Sequence, residues 1–266
     1  MTSEVPVLQA TFHSASVFKS MVTCIKELVE EGNFTFAPDT GLVFESLDSS
    51  SACLIALAIR PKAFADYKCS KSVTFGINIK KSLHKVMSAA PAEDRMQLVC
   101  TDNADQLLMC SENKQHSEIL RYQVNLMEID TDQMKIPELD TKCEIKMSAS
   151  EFQKKVAQLV GFGDTCKITC TSGAITFHTD GDMGKLDIVI KNEDGHGVSI
   201  KSTEDVSQTF ALRYLTFFAK GASVSDYVII KMTPEMPLLL EYYLDDGDRA
   251  LGHLKFFLAP KQEISD

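Results

Sequence analysis

Ser14-Ala15-Ser16-Val17-Phe18 recurs as Ser148-Ala149-Ser150-Glu151-Phe152, 134 residues further along the chain. Each copy opens a stretch with apolar residues at helical spacing. Each is followed by two strand-like runs joined through a glycine, 34–44 around Gly41 and 167–177 around Gly173. Phe44 and Phe177 are 133 residues apart. Two matches at nearly one offset predict a duplicated domain of about 130 residues.

Outward from the repeat, each half holds a second helical candidate, 78–90 in the first and 208–220 in the second. The rest alternates at strand period: Met96, Leu98 and Cys100, then a polar turn 101–105 leading to Leu107 and Met109. Further on come Val228, Ile230 and Met232; Leu238, Leu240 and Tyr242; and Leu254, Phe256 and Leu258. Helix, strands, helix, strands in each half predicts an α+β fold of two similar domains, each with two helices packed on antiparallel sheets. The expected boundaries are 1–125, an interdomain linker 126–140, and 141–266. The linker is expected from its charge, Glu128, Asp130, Asp132, Glu138 and Asp140 against one lysine, and from Pro137.

Composition excludes several classes. With 44% hydrophobic and 24% charged residues, a disordered chain is not expected. No apolar run reaches the ~18 residues of a membrane span, and no export signal is visible at the N-terminus. The eight cysteines contain no C-x-x-C, and Cys166 and Cys170 share a strand face with no paired histidine nearby. Reduced, mostly buried thiols are expected, with no metal site and no cofactor. None of His13, His84, His116, His178, His196 or His253 sits in a nucleophile, metal or phosphate motif. Gly161-Phe162-Gly163 reads as a helix stop, and Asp245-Asp246-Gly247-Asp248 as a hairpin turn rather than a calcium loop. Catalysis is not expected.

The net charge of −10 argues against a nucleic-acid binder only if charge is evenly spread. It is not. The four helical candidates carry apolar stripes: Val17, Phe18, Met21, Val22, Ile25, Leu28 and Val29; Ile79, Leu83, Val86 and Met87; Phe152, Val156, Leu159 and Val160; Leu212, Leu215 and Phe218. Off those stripes lie Lys19 and Lys26; Lys80, Lys81 and Lys85; Lys154 and Lys155; Arg213 and Lys220. These nine cations face three acids, Glu27, Glu30 and Glu151, so the helices sum to +6 and the remainder to −16. Positive helices in an acidic chain suit a polyanion met from one side. Three copies would place about +18 in a ring, against on the order of twelve phosphates in ~20 Å of duplex. No element for reading base sequence is visible.

These residues bring the chain to a known family. It resembles the proliferating cell nuclear antigen family, the eukaryotic DNA sliding clamps, over roughly residues 8–261. The resemblance rests on Leu47-Asp48-Ser49-Ser50, Asp102-Asn103-Ala104-Asp105, Leu126-Met127-Glu128-Ile129-Asp130 and Ile136-Pro137. It rests also on Thr209-Phe210-Ala211-Leu212-Arg213-Tyr214-Leu215, Gly252-His253-Leu254-Lys255 and Leu258-Ala259-Pro260-Lys261. It implies the DNA clamp (processivity-factor) fold and a nuclear homotrimeric ring around double-stranded DNA, without catalytic activity. The implied partners are a clamp loader, DNA polymerase and other replication and repair proteins carrying a short hydrophobic peptide. By the same resemblance the peptide pocket would use Leu47, Ser51, Ala52, Leu54, Met134, Ile136, Pro137, Pro237, Phe257, Ala259 and Pro260. Subunits would pair edge strands carrying Leu120, Tyr122 and Val124 on one side and Leu186, Ile188 and Ile190 on the other.

The chain departs from the family pattern in places. Ser51 stands where familiar members have His, and Phe257 where they have Tyr. Ser172 takes the place of the lysine modified by ubiquitin. Ser20, Ser88 and Ala157 replace basic lumen positions, with Lys80, Lys81 and Lys155 expected to compensate. Leu186 replaces a Gly, which raises the alternative of a subunit in a heterotrimeric checkpoint-type clamp. A protein-only scaffold with merely solvated lysines is the other rival.

Overall fold

The structure, a computed structural model, describes residues 5–113, 115, 117–130, 139–192, 197–246 and 249–261. They fall into two compact units. One is drawn from 1–49, 55–134 and 244–254, the other from 50–54, 135–243 and 255–266.

In the first unit the order is β1 (Leu8–Phe12), α1 (Ala15–Ile25), β2 (Glu31–Ala37), β3 (Gly41–Leu47), β4 (Cys53–Ile59), β5 (Asp66–Cys69) and β6 (Val73–Asn78). A π-helical turn (Ile79–Leu83) then leads into α2 (His84–Ala89), followed by β7 (Arg95–Cys100), β8 (Gln106–Glu112) and β9 (Ile119–Asn125). One antiparallel sheet runs β5-β1-β7-β8-β9, and β6-β2-β3 pair antiparallel with β4 beside β3. Phe34 pairs with Phe44 across the β2–β3 hairpin. That hairpin turns at Gly41, whose φ of 78° a side chain would resist. Helix α1 buries Ala15, Phe18, Met21, Val22, Cys24 and Ile25, and Phe18 stacks on Phe12 at 5.2 Å.

The second unit repeats the plan with β10 (Cys143–Ser148), α3 (Ala149–Val160), β11 (Thr165–Cys170), β12 (Ala174–Gly181), β13 (Gly184–Lys191), β14 (Ser199–Ser202) and β15 (Val206–Ala211). Then come α4 (Leu212–Phe218), a 3-10 turn (Ala219–Ser223), β16 (Tyr227–Met232), β17 (Leu238–Asp246) and β18 (Arg249–Leu258), the last two contributing their part of 244–254 to the first unit. Its four-stranded sheet runs β13-β12-β11-β15; a second ladder runs β14-β10-β16-β17, with β18 beside β17. Ile168 pairs with Phe177, the counterpart of Phe34 with Phe44. Helix α3 is N-capped by Ser148, whose Oγ accepts from the Glu151 amide at 3.4 Å. It buries Ala149, Phe152, Val156 and Leu159 and ends at Gly161.

Several helical expectations need correction. Residues 208–211 are strand, not helix. Val206 and Phe210 point inward while Thr209 pairs with Lys167 on β11, so the period of two prevails until Leu212. Helix α1 stops at Ile25; Leu28 and Val29 are buried but follow it in a turn. Val160, placed on the apolar stripe of α3, is 48% exposed. The second helical segment of the first half starts as a π turn, in which the His84 amide donates to the Ile79 carbonyl five residues back.

All eight cysteines lie among the described residues, and none forms a disulfide; Cys69 and Cys110 are partly exposed and the rest are buried. Burial pushes the Cys166 thiol up to about 12.

Candidate nucleic-acid interface and partner pocket

The cations sit in two groups, one per unit. In the first unit, Lys19 and Lys26 lie on α1 and at its C-terminal end, Lys80 and Lys81 on the π turn, and Lys85 on α2. Lys19 is half-buried, and its ammonium donates to the carbonyls of Ala90 at 3.0 Å and Ser88 at 3.3 Å, just past and within the last turn of α2. It therefore caps α2 as well as carrying charge. Lys26 pairs with Glu27 at 3.7 Å and Lys80 with Glu30 at 3.7 Å. The amide of Lys81 donates to Asn78 Oδ1 at 2.7 Å, which opens the π turn. His84, bonded to Ser88 Oγ at 3.2 Å, titrates below its ordinary value through burial and the charge of Lys26.

In the second unit, Glu151 pairs with Lys154 at 2.8 Å and Lys155 at 3.6 Å on α3, and the bond from Lys154 holds its carboxyl below the usual range. Arg213 is exposed on α4, and Lys220 lies on the following 3-10 turn over the Phe217 ring at 5.7 Å. Each of the three acids counted on the helices is thus paired with a lysine of the set. The +6 stands, but it comes from a mixture of ion-paired cations and exposed ones such as Lys81, Lys85 and Arg213. Exposed pairs of this kind are worth little.

Of the candidate pocket residues, Met134, Ile136 and Pro137 lie outside the described residues. Leu47 belongs to the first unit, at the end of β3, and is 42% exposed. The others belong to the second. Ser51 is exposed with a left-handed backbone, φ 57°. The Ala52 carbonyl accepts the Ala259 amide at 2.9 Å, which draws the 50–54 segment against the chain end. Pro237 and Pro260 are half-buried and Ala259 is exposed. Leu54 and Phe257, 8% and 4% exposed, are packed within the protein, so they can only underlie such a surface.

The interface candidates fall on sheet edges. β9 is the last strand of the five-stranded sheet and β13 of the four-stranded one. Leu120 and Tyr122 are half-buried on one face of β9, whereas Val124 is 3% exposed and already packed. Leu186, Ile188 and Ile190 are half-buried on one face of β13. Val189 projects from the other face, 58% exposed.

Two arrangements have no signal in the sequence. Met127 forms a β-bridge to Gly76 with its amide donating at 3.0 Å, while Asn33 Nδ2 donates to the Ile129 carbonyl at 2.9 Å. A Cβ at Gly76 would strike Met127 O and lie 2.7 Å from Ile129 Cγ1. The second is a run of side-chain hydrogen bonds from Arg213 through Tyr214 to Ser50, with 164 residues separating the last two.

Among the described residues no group of three or more His, Cys, Asp and Glu could hold a metal ion, and no helix is long and apolar enough to cross a membrane. Residues 7–135 match the family model for the proliferating cell nuclear antigen N-terminal domain, and residues 135–261 that for its C-terminal domain. A solved structure of proliferating cellular nuclear antigen from Entamoeba histolytica is similar, with 28% identity and a TM-score of 0.89, covering 97% of this chain and 100% of that one.

Proposed function

The chain belongs to the proliferating cell nuclear antigen family and has its α+β sliding-clamp fold, and from that premise we propose that it closes into a homotrimeric ring that encircles double-stranded DNA without sequence preference. The ring works in the nucleus, has no catalytic activity of its own, and is placed on DNA by a clamp loader. It tethers DNA polymerase and other replication and repair proteins through a peptide with a hydrophobic plug.

The observation that supports this most is the charge segregation: nine cations on and beside the helices of a chain with net charge −10. Such a surface attracts the phosphate backbone and supplies no base readout, which is what a sliding contact needs. The peptide reading rests on the family and on the apolar Pro237, Ala259 and Pro260 together with Ser51 and Ala52. The domain limits we propose with it are 1–125, 126–140 and 141–266.

The test is retention on end-blocked linear duplex across a salt series. Replacing Lys81, Lys85, Lys154 and Arg213 together by Ala should cut retention at least tenfold. It should also flatten the salt slope by about one unit for each phosphate that is no longer neutralised. The effect should be equal for any duplex sequence. Unchanged retention and slope would overturn the DNA assignment.

A second reading, one subunit of a heterotrimeric checkpoint-type ring, is favoured by Leu186, whose side chain stands where familiar members have none. Light scattering on the purified chain separates the two: a mass of three chains supports the homotrimer, and a stable monomer supports the mixed ring.

A further inference from the structure

Tyr214 lies on α4 immediately after Arg213 and is 5% exposed, its ring packed 6.2 Å from that of Phe218. Among the contacts of its hydroxyl are Arg213 and Ser50. Arg213 Nη2 donates to the phenol oxygen at 3.3 Å, with the guanidinium carbon 4.9 Å from the ring centroid. Ser50 Oγ lies 2.7 Å away. Guanidinium can only donate, so the phenol oxygen accepts from Arg213, and in the Tyr214–Ser50 bond either hydroxyl can be the donor. Hydrogen bonds in a chain, here part-buried, polarise one another, so the state of one end is felt at the other.

What lies at the far end makes this more than local satisfaction of a buried hydroxyl. Ser50 is followed by Ser51, held at φ 57°, a region that serine visits rarely. Ser51 is followed by Ala52, whose carbonyl holds the Ala259 amide at 2.9 Å. The turn 50–52 is thus fixed by its neighbours rather than by its own preference, and Tyr214 is one of those neighbours. At the near end Arg213 is exposed, held by a long hydrogen bond and a ring face. A phosphate offers a guanidinium a stronger, charge-assisted partner.

We infer that Tyr214 is a positioning residue coupling the two surfaces: when Arg213 leaves the phenol oxygen for a phosphate, the Ser50 turn loosens or shifts, and affinity for a peptide at Ser51, Ala52 and Ala259 changes. By thermodynamic reciprocity, bound peptide changes affinity for duplex by the same factor. This rests on the reading given under Proposed function. It adds that the DNA face and the partner face communicate through three named side chains within one unit.

The experiment is a double-mutant cycle without DNA. A fluorescein-labelled peptide with an aromatic plug is titrated by anisotropy into the wild type, Arg213→Ala, Tyr214→Phe and the double variant. Arg213 is not part of the peptide surface, yet Arg213→Ala should shift the peptide Kd about three- to tenfold in the wild-type background. In the Tyr214→Phe background the shift should vanish. Ser50→Ala cuts the same link from the other end and should behave as Tyr214→Phe does, so it replaces that variant if the latter folds poorly. Adding saturating duplex to the wild type should change its peptide Kd by a similar factor, and in Tyr214→Phe should change nothing.

Equal shifts in both backgrounds, or no shift in either, would overturn the coupling while leaving the clamp reading intact. A wild type that binds neither duplex nor peptide would instead remove the reading beneath it. A merely structural tyrosine would lower the thermal midpoint of every Tyr214→Phe protein and leave the cycle additive, which also overturns the coupling.

Discussion

Glu241 is 1% exposed, with its carboxylate 2.8 Å from Lys231 Nζ and 2.9 Å from Lys255 Nζ. Burial alone would raise its pKa, but the bonds from the two ammonium groups outweigh that and hold it below the usual carboxylate range. A carboxyl whose folded pKa is depressed contributes stability that is complete above the ordinary glutamate value and is lost as pH falls through the folded pKa. Glu241→Gln takes the carboxylate from two partly buried lysines, leaving Lys231 only Glu144 at 4.0 Å, and should cost about 2 kcal/mol at pH 7, measured by urea unfolding. The gap to the wild type should begin to narrow as pH falls below the ordinary glutamate value, about 4.3, and close as pH falls through the lower folded one. The alternation Leu238, Leu240, Tyr242 was legible, and by it Glu241 faces away from those apolar neighbours. Its burial was not, because a period of two assigns a side and says nothing of what covers that side.

At the scale of elements, periodicity gives the strands within 34–44, 96–109, 167–177, 228–232, 238–242 and 254–258 and a helical segment near each cation, although Lys26 follows α1 and Lys80, Lys81 and Lys220 lie on π and 3-10 turns. The 34–44 and 167–177 hairpins stand where their glycines and aromatics put them. The last helix is expected from residue 208 because Gln208-Thr209-Phe210-Ala211 runs into Leu212 without a breaker, although its apolar stripe begins only at Leu212. The pairings of Lys26 and Lys80 with Glu27 and Glu30 depend on rotamers that spacing does not fix; the three- and four-residue spacing of Lys154 and Lys155 from Glu151 did carry a signal. Met127 on Gly76 joins a strand to a segment about fifty residues later, and no local pattern encodes it. Gly76→Ala should break that bridge, since the methyl has no room beside Met127 and Ile129. The expected cost is about 1–2 kcal/mol. Amide exchange at Met127 should rise at least tenfold by hydrogen-exchange mass spectrometry, with exchange in β11 and β12 unchanged.

For the whole molecule, the repeat visible in two serine-rich pentapeptides anticipates the plan of both units, helix by helix and hairpin by hairpin. If β9 and β13 join neighbouring copies, Tyr122→Asp or Ile188→Asp puts a charge on the apolar face of an edge strand and should weaken association at least about tenfold. Sedimentation equilibrium at micromolar protein would read this as a shift from three chains to one. Trimers of unchanged strength from both variants would exclude these strands from the joint.

Those same edges bear on what stability means for this chain. Among the described residues β9 pairs only with β8 and β13 only with β12, so each strand keeps a row of backbone donors and acceptors on its outer side. If copies satisfy one another there, the free energy holding each subunit together contains a term in the logarithm of protein concentration. Dilution would then act as a mild denaturant, and the melting temperature would climb with every tenfold increase in protein.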